Sequence, residues 1–171
     1  MTLEVAVQYA VPRAGVPAAR RLHAAARAAW RGTGAAGVTL RIVDAEEGHA
    51  LNHAFRGRDR ATNVLSFPVP EDMPLPPGDG PAGLGDIVLC DPVLRREAEE
   101  QGKRLGDHYT HMVVHGMLHL QGFDHQDATE AAVMEALETR VLARLGVADP
   151  YRAAASDPAS SRECERDVHG V

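Results

Sequence analysis

The sequence predicts an α+β fold: a single domain with a central mixed four-stranded sheet covered by about five helices. Three observations carry that prediction. Stretches with the two-residue alternation of strands are interleaved with stretches of helical propensity, which calls for one sheet with helices packed on it. At 171 residues, 44% hydrophobic and 25% charged, the chain has the size and make-up of one ordinary globular domain. No internal repeat divides it.

Leu3, Val5, Val7 and Tyr9 alternate with smaller or polar residues, the pattern of a strand. Pro12 to Pro17 stop it, and the Ala- and Arg-rich stretch Val16 to Arg31, with Leu22 and Trp30, is a helix by propensity. Gly34 and Gly37 close that helix, and Val38 to Val43 form a second strand. Asp44 with Glu47 three residues on has the form of a capping box, an acid replacing the hydroxyl, and opens a helix to Phe55. Asn63 to Phe67 is a third strand, residues 68–83 with six prolines read as a mobile loop, and Gly85 to Cys90 is the fourth strand. Asp91-Pro92 pairs an N-cap with a proline at the first helical position and starts a helix reaching Leu105. Asp107 is expected to cap the next helix, which ends at Gly122, and Asp127 with Glu130 opens a last one to Leu145, closed by Gly146. Beyond Tyr151 little remains to bury, so residues 1–151 are expected to form the domain and 152–171 a disordered tail.

No apolar run approaches the roughly 20 residues of a membrane span, and Met1 to Val5 lack the pattern of a secretion signal. Two cysteines, Cys90 and Cys164, fit neither a disulfide framework nor a four-cysteine zinc site. The expectation is a cytoplasmic protein with no membrane partner. Its net charge of −6 is unevenly spread: residues 1–60 sum to +4 and residues 61–171 to −10. Between Val5 and Val43 stand six arginines and no acid. Such asymmetry suits a polyanion-facing side, and equally the solvated faces of an arginine-rich chain.

Five of nine histidines lie between positions 108 and 125. His115 and His119, four apart on a helix, project from one face and can share a metal ion. A break at Gly122 lets His125 return as a third ligand, giving the string H-x3-H-x2-G-x2-H. Three imidazoles leave a fourth position open, the arrangement of a catalytic zinc, and place a zincin-like metal site at the end of a helix. His111 competes for a ligand role, but about 12 Å of helix separate it from His119, which leaves it a place behind the ligands or at the surface. Zincin peptidases have the same spacing with Glu directly after the first His as general base; here that position is Gly116. Asp124 is the nearest acid, suited to orienting a ligand histidine, to passing a proton, or simply to capping the following turn.

Arg56, Arg58 and Arg60 stand around Gly57, ahead of the third strand. Guanidinium groups match phosphate bidentately and oppose charge developing on a phosphoryl group; on their own, such arginines also fit a solvated loop.

These stretches occur together and in order: Leu51-Asn52, Phe55-Arg56-Gly57-Arg58-Asp59, Thr62-Asn63-Val64-Leu65-Ser66-Phe67-Pro68, Leu84-Gly85-Asp86-Ile87-Val88 and His115-Gly116 through His125. In this the chain resembles the YbeY family of bacterial endoribonucleases, from about Leu40 to Tyr151, with Met134 to Glu138 and Asp149-Pro150-Tyr151 included. The resemblance implies one zinc ion on His115, His119 and His125, and maps the family's functionally important arginine onto Arg56. It implies metal-dependent cleavage of single-stranded RNA, maturation of the 16S ribosomal RNA 3′ end, and ribosome quality control, with the small ribosomal subunit or its assembly proteins as partners. Phe123 stands where tyrosine is common in the family. Only seven aromatic residues are available for base stacking, so RNA binding is expected to rest on arginines, Arg58 and Arg60 among them, and to be salt-sensitive. Two rival readings remain: a ribosome-assembly factor whose metal is mainly structural, and a zinc peptidase-like hydrolase, which the glycine at position 116 opposes.

Overall fold

A computed structural model describes residues 3–57, 62–69, 82–123 and 127–151, with backbone alone at positions 55, 56 and 82. Alternation decides the first strand as expected: Leu3, Val5, Val7 and Tyr9 of β1 (Leu3–Tyr9) turn inward, and the residues between them outward. In β2 (Ala36–Val43) the inward set is Ala36, Val38, Leu40 and Ile42. With β3 (Val64–Pro68) and β4 (Ala82–Cys90) these make one sheet in the order β1-β2-β4-β3. β1 and β2 run parallel, as do β2 and β4, while β3 is antiparallel to β4, so the sheet is mixed.

One glycine is required by this sheet. The β2–β4 register slips between Gly37 and Val38, and Gly85, paired with Val38 and Pro68, sits at a φ of 138°. A Cβ there would lie 2.1 Å from the Phe67 carbonyl oxygen, so no other residue fits.

The described residues also form five helices: α1 (Ala19–Ala29), α2 (Ala45–Arg56), α3 (Asp91–Gln101), α4 (Leu105–Leu120) and α5 (Ala128–Arg144). α4 lies at the centre of one sheet face, packed on β3 and β4 and flanked by α1, α3 and α5. Its residues from His108 to Leu118 are all buried, which explains why they are apolar apart from Thr110 and the histidines. The core between α4 and the sheet holds Leu22, Leu40, Ile42, Ile87, Leu89 and Met117, all fully buried. A smaller apolar cluster on the other face joins Val43, Leu65, Val88 and Cys90 to Leu51 of α2.

α1 and α4 run side by side in the same direction. At their starts Arg21 bonds Thr110 Oγ1 at 3.1 Å and Asp107 at 2.5 Å; at their ends Gln121 Nε2 donates to the Ala29 carbonyl at 2.8 Å.

Several boundaries differ from the sequence expectation, each for a physical reason. α1 starts at Ala19, since Pro17 and the turn before it hold the chain extended, and it ends at Ala29 with Trp30 already extended. β2 and β4 begin earlier, at Ala36 and Ala82, by pairing with each other. α3 stops at Gln101, where Gly102 takes a left-handed conformation at φ 65°, and does not reach Leu105. Asp91 is not a cap: it is the first helical residue, and its carboxylate accepts from Tyr109 at 2.5 Å and Arg95 at 2.8 Å. Asp107 is not a cap either, because α4 begins at Leu105 and the carboxylate is engaged by Arg21. α4 ends at Leu120, one turn residue before Gly122. The caps at Asp44 and Asp127 form as expected, accepting from Glu47 N at 2.9 Å and Glu130 N at 2.7 Å. Glu47 does not return the bond of a full capping box; its carboxylate takes Arg41 at 2.6 and 3.0 Å. Positions 70–81 of the expected loop and the tail from 152 onward lie outside the described residues. Among the described residues no helix is long and apolar enough to cross a membrane.

Candidate metal centre and active site

Four histidines follow one another along α4, at positions 108, 111, 115 and 119. The helical repeat brings the last two together: His115 Nε2 and His119 Nε2 are 3.1 Å apart. Two imidazole nitrogens held about 2.0–2.1 Å from a tetrahedral ion are separated by about 3.3 Å, so this pair is already spaced for chelation.

Glu138 of α5 stands behind them and is fully buried. Its Oε1 accepts from His115 Nδ1 at 2.5 Å, its Oε2 from His111 Nε2 at 3.1 Å, and the Tyr151 hydroxyl also donates to Oε2. Burial pushes the Glu138 carboxyl up, but the bonds from His111 and His115 outweigh it and hold the group below the usual carboxylate range. An ionised carboxylate only accepts, so His115 carries its proton on Nδ1 and keeps the Nε2 lone pair facing His119. This is the carboxylate–histidine arrangement that fixes metal-binding imidazoles in other proteins.

His111 is 4% exposed, which corrects the surface alternative for this residue. Burial lowers its pKa further than Glu138 raises it, so the ring is neutral and serves as a donor to Glu138. Tyr151 is held protonated by burial and by the Glu138 charge. One helical turn back, His108 Nε2 donates to Glu97 at 2.9 Å, and Glu97 also accepts from Asn63 at 3.2 Å, tying the start of β3 to α3 and α4.

Gly116 faces the sheet. A Cβ there would lie 3.0 and 3.1 Å from two Ile87 carbons and 3.2 Å from Ser66 Oγ, tighter than ordinary packing. The position that holds a peptidase's glutamate therefore points into the sheet, where a side chain would crowd Ile87 and Ser66.

The structure thus brings His115 and His119 together and sets His111 behind them. Arg56 is the last residue of α2, whose Gly57 C-cap turns left-handed at φ 67°; α2 packs on the sheet face opposite α4. The Arg56 side chain, and Arg58, Arg60, Asp124 and His125 entirely, lie outside the described residues. Among the described residues no three His, Cys, Asp or Glu side chains are arranged to hold a metal ion. Sequence reasoning gave no role to Glu138, Tyr151 or the Asn63–Glu97–His108 link. Glu138 had a legible signal, for it shares the buried stripe Met134, Glu138, Val141 and Leu142, an acid where α5 is otherwise apolar.

Fold and site together define an α+β domain with a paired-histidine centre on its central helix and a glycine, Gly116, where a zincin peptidase has its base. The family model for "Endoribonuclease YbeY" matches residues 18–146. The chain belongs to the YbeY endoribonuclease family. It is 53% identical over 150 residues to the Endoribonuclease YbeY of Stenotrophomonas maltophilia strain R551-3, covering 87% of this chain and 93% of that one. It is 56% identical over 156 residues to that of Alkalilimnicola ehrlichii, covering 88% and 92%. The fold is also similar to the solution structure of a Thermotoga maritima structural-genomics target, with a TM-score of 0.54 at 22% identity over 92% of this chain and 99% of that one.

Proposed function

We propose that this endoribonuclease cuts single-stranded RNA in a metal-dependent reaction, and that it acts in the cytoplasm in ribosomal RNA processing, maturing the 16S 3′ end, and in ribosome quality control. The observation that carries the metal dependence is the 3.1 Å approach of His115 Nε2 to His119 Nε2, with Glu138 fixing the His115 tautomer. These residues fit a zinc ion, one per chain, with His125 as the third ligand. When bound, zinc supplies Lewis-acid chemistry, activating a water or polarising a phosphate oxygen.

The protein's own groups do the rest. Glu138 and His111 hold His115 in one orientation from the buried side. Arg56, placed at the end of a helix, opposes the charge that builds on the phosphorus. Arg58 and Arg60 bind neighbouring phosphates, and Asp124 orients a ligand histidine. The protein's partners in this reading are single-stranded ribosomal RNA and the small ribosomal subunit or its assembly proteins. The peptidase reading is opposed by the packing of Gly116 against Ile87 and Ser66.

The test is cleavage of a labelled single-stranded RNA by the purified protein beside Arg56→Ala and His119→Ala variants prepared identically. Loss of cleavage in both variants at unchanged melting temperature for Arg56→Ala supports the reading. Equal cleavage in all three samples identifies a contaminant and overturns it, leaving an assembly factor with a structural metal.

A further inference from the structure

The arginine-rich, acid-free stretch of the sequence falls on α1, whose buried side is Leu22, Ala25, Ala26 and Ala29 against α4. The opposite side is exposed and carries Arg20, Ala24 and Arg27. Arg20 and Arg27 are seven residues apart, two turns, so they share one face about 10 Å from each other. That distance matches about three stacked nucleotides at about 3.4 Å each. Arg31 follows just past the helix end, and its backbone N–H donates to Gln121 Oε1 at 2.8 Å. Gln121 is two residues beyond His119, so the backbone at Arg31 reaches the end of α4 that carries His119.

These charges are not consumed by the fold. Among the described residues neither the Arg20 nor the Arg31 side chain meets an acid, and Arg27 spends only its Nε, at 3.3 Å from the Leu3 carbonyl. Arg21, off this row, is the arginine that pairs with Asp107. An exposed cationic row with no counter-charge among the described residues, on a protein of net charge −6, is the complement of a polyanion backbone.

We infer that the exposed face of α1, through Arg20, Arg27 and Arg31, is a track for the phosphate backbone of single-stranded RNA leading to the metal centre. This rests on the endoribonuclease reading above and adds to it a binding surface remote from the reacting bond. The row makes charge contacts only, so it binds without sequence preference and weakens with salt.

The test uses the full chain. Binding of a fluorescein-labelled 20-nucleotide single-stranded RNA is followed by anisotropy across a KCl series, in a His119→Ala background so that the RNA stays intact. Three neutralised contacts lower the slope of log affinity against log salt by about 2, at about 0.7 per phosphate on a single strand. The variant R20Q/R27Q/R31Q is therefore expected to lose that slope and at least tenfold in affinity at low salt. The variant R20Q/R31Q leaves the Arg27–Leu3 bond alone and is expected to lose a slope of about 1.4. Affinity and slope unchanged in a folded R20Q/R31Q variant of the His119→Ala background, while the wild-type protein cleaves RNA, overturn the track and leave the nuclease reading standing. Binding that depends on these arginines, with a wild-type protein that cuts no RNA, supports the track and overturns the nuclease reading instead.

Discussion

Glu138 Oε1 lies 2.5 Å from His115 Nδ1, at the end of a buried chain in which His111 and Tyr151 donate to the other carboxylate oxygen. The contact decides which nitrogen of His115 faces His119. It joins α5 to α4 and makes the orientation of the centre depend on a residue 23 positions away.

Replacing that carboxylate should therefore loosen the centre. Glu138→Gln can accept at only one atom, so at least one of the three donors loses its partner, at a cost of about 1–3 kcal/mol for each. Zinc affinity, read by competition with a chromophoric chelator, is expected to fall about 10–100-fold. Unchanged affinity in a folded variant would show that Glu138 does not position the pair.

Stability should fall on the acid side. His111 has its folded pKa below its ordinary 6.5, so the unfolded chain takes up a proton that the fold refuses, and stability drops as pH falls through 6.5. Glu138 lies below its ordinary 4.5, so its contribution is whole above 4.5 and is lost as pH falls further. Melting temperature measured in chelator, to remove metal release from the readout, is expected to decline below about pH 6.5. A constant value from pH 8 to pH 5 contradicts this.

Gly116→Glu places a peptidase-like base next to the first ligand in sequence but not in space. With Ile87 3.0 Å and Ser66 3.2 Å from the added Cβ, the side chain must push its neighbours aside, and overpacking alone costs about 1–3 kcal/mol. Burying the charge adds to that cost. The expected result is a large loss of melting temperature and no cleavage of unfolded casein; a stable protein that cuts casein refutes the orientation given to position 116.

Two aspartates that look alike in the sequence should behave differently. Asp127→Ala removes a cap bond to Glu130 N and is expected to cost about 1 kcal/mol in urea unfolding. Asp107→Ala removes only an ion pair with Arg21 whose side chains are 45% and 34% exposed, and should cost clearly less, below about 1 kcal/mol. The reverse order would return Asp107 to the role of a cap.

That contrast shows what was readable. Asp44 and Asp127 are local devices whose partners lie three residues on, and the sequence pattern contains both halves. Asp91 and Asp107 satisfy the same pattern, yet Tyr109, Arg95 and Arg21 claim them, two of these from other helices. The presence of four strands was readable from their local patterns, but their order in the sheet was not, and the early starts of β2 and β4 come from pairing between segments more than 40 residues apart. In the site, His115 and His119 were legible because the helical repeat is a local rule. Glu138 was harder, being one of three acids on α5, of which only the one on the buried stripe reaches the histidines.

The central claim is that RNA cleavage needs a metal held by His115 and His119. The direct measurement is cleavage of single-stranded RNA by protein stripped with chelator, its metal content checked by mass spectrometry, before and after one equivalent of zinc. The account predicts that cleavage disappears on stripping, returns with zinc in the parent, and does not return in His119→Ala. Undiminished cleavage by metal-free protein would contradict it.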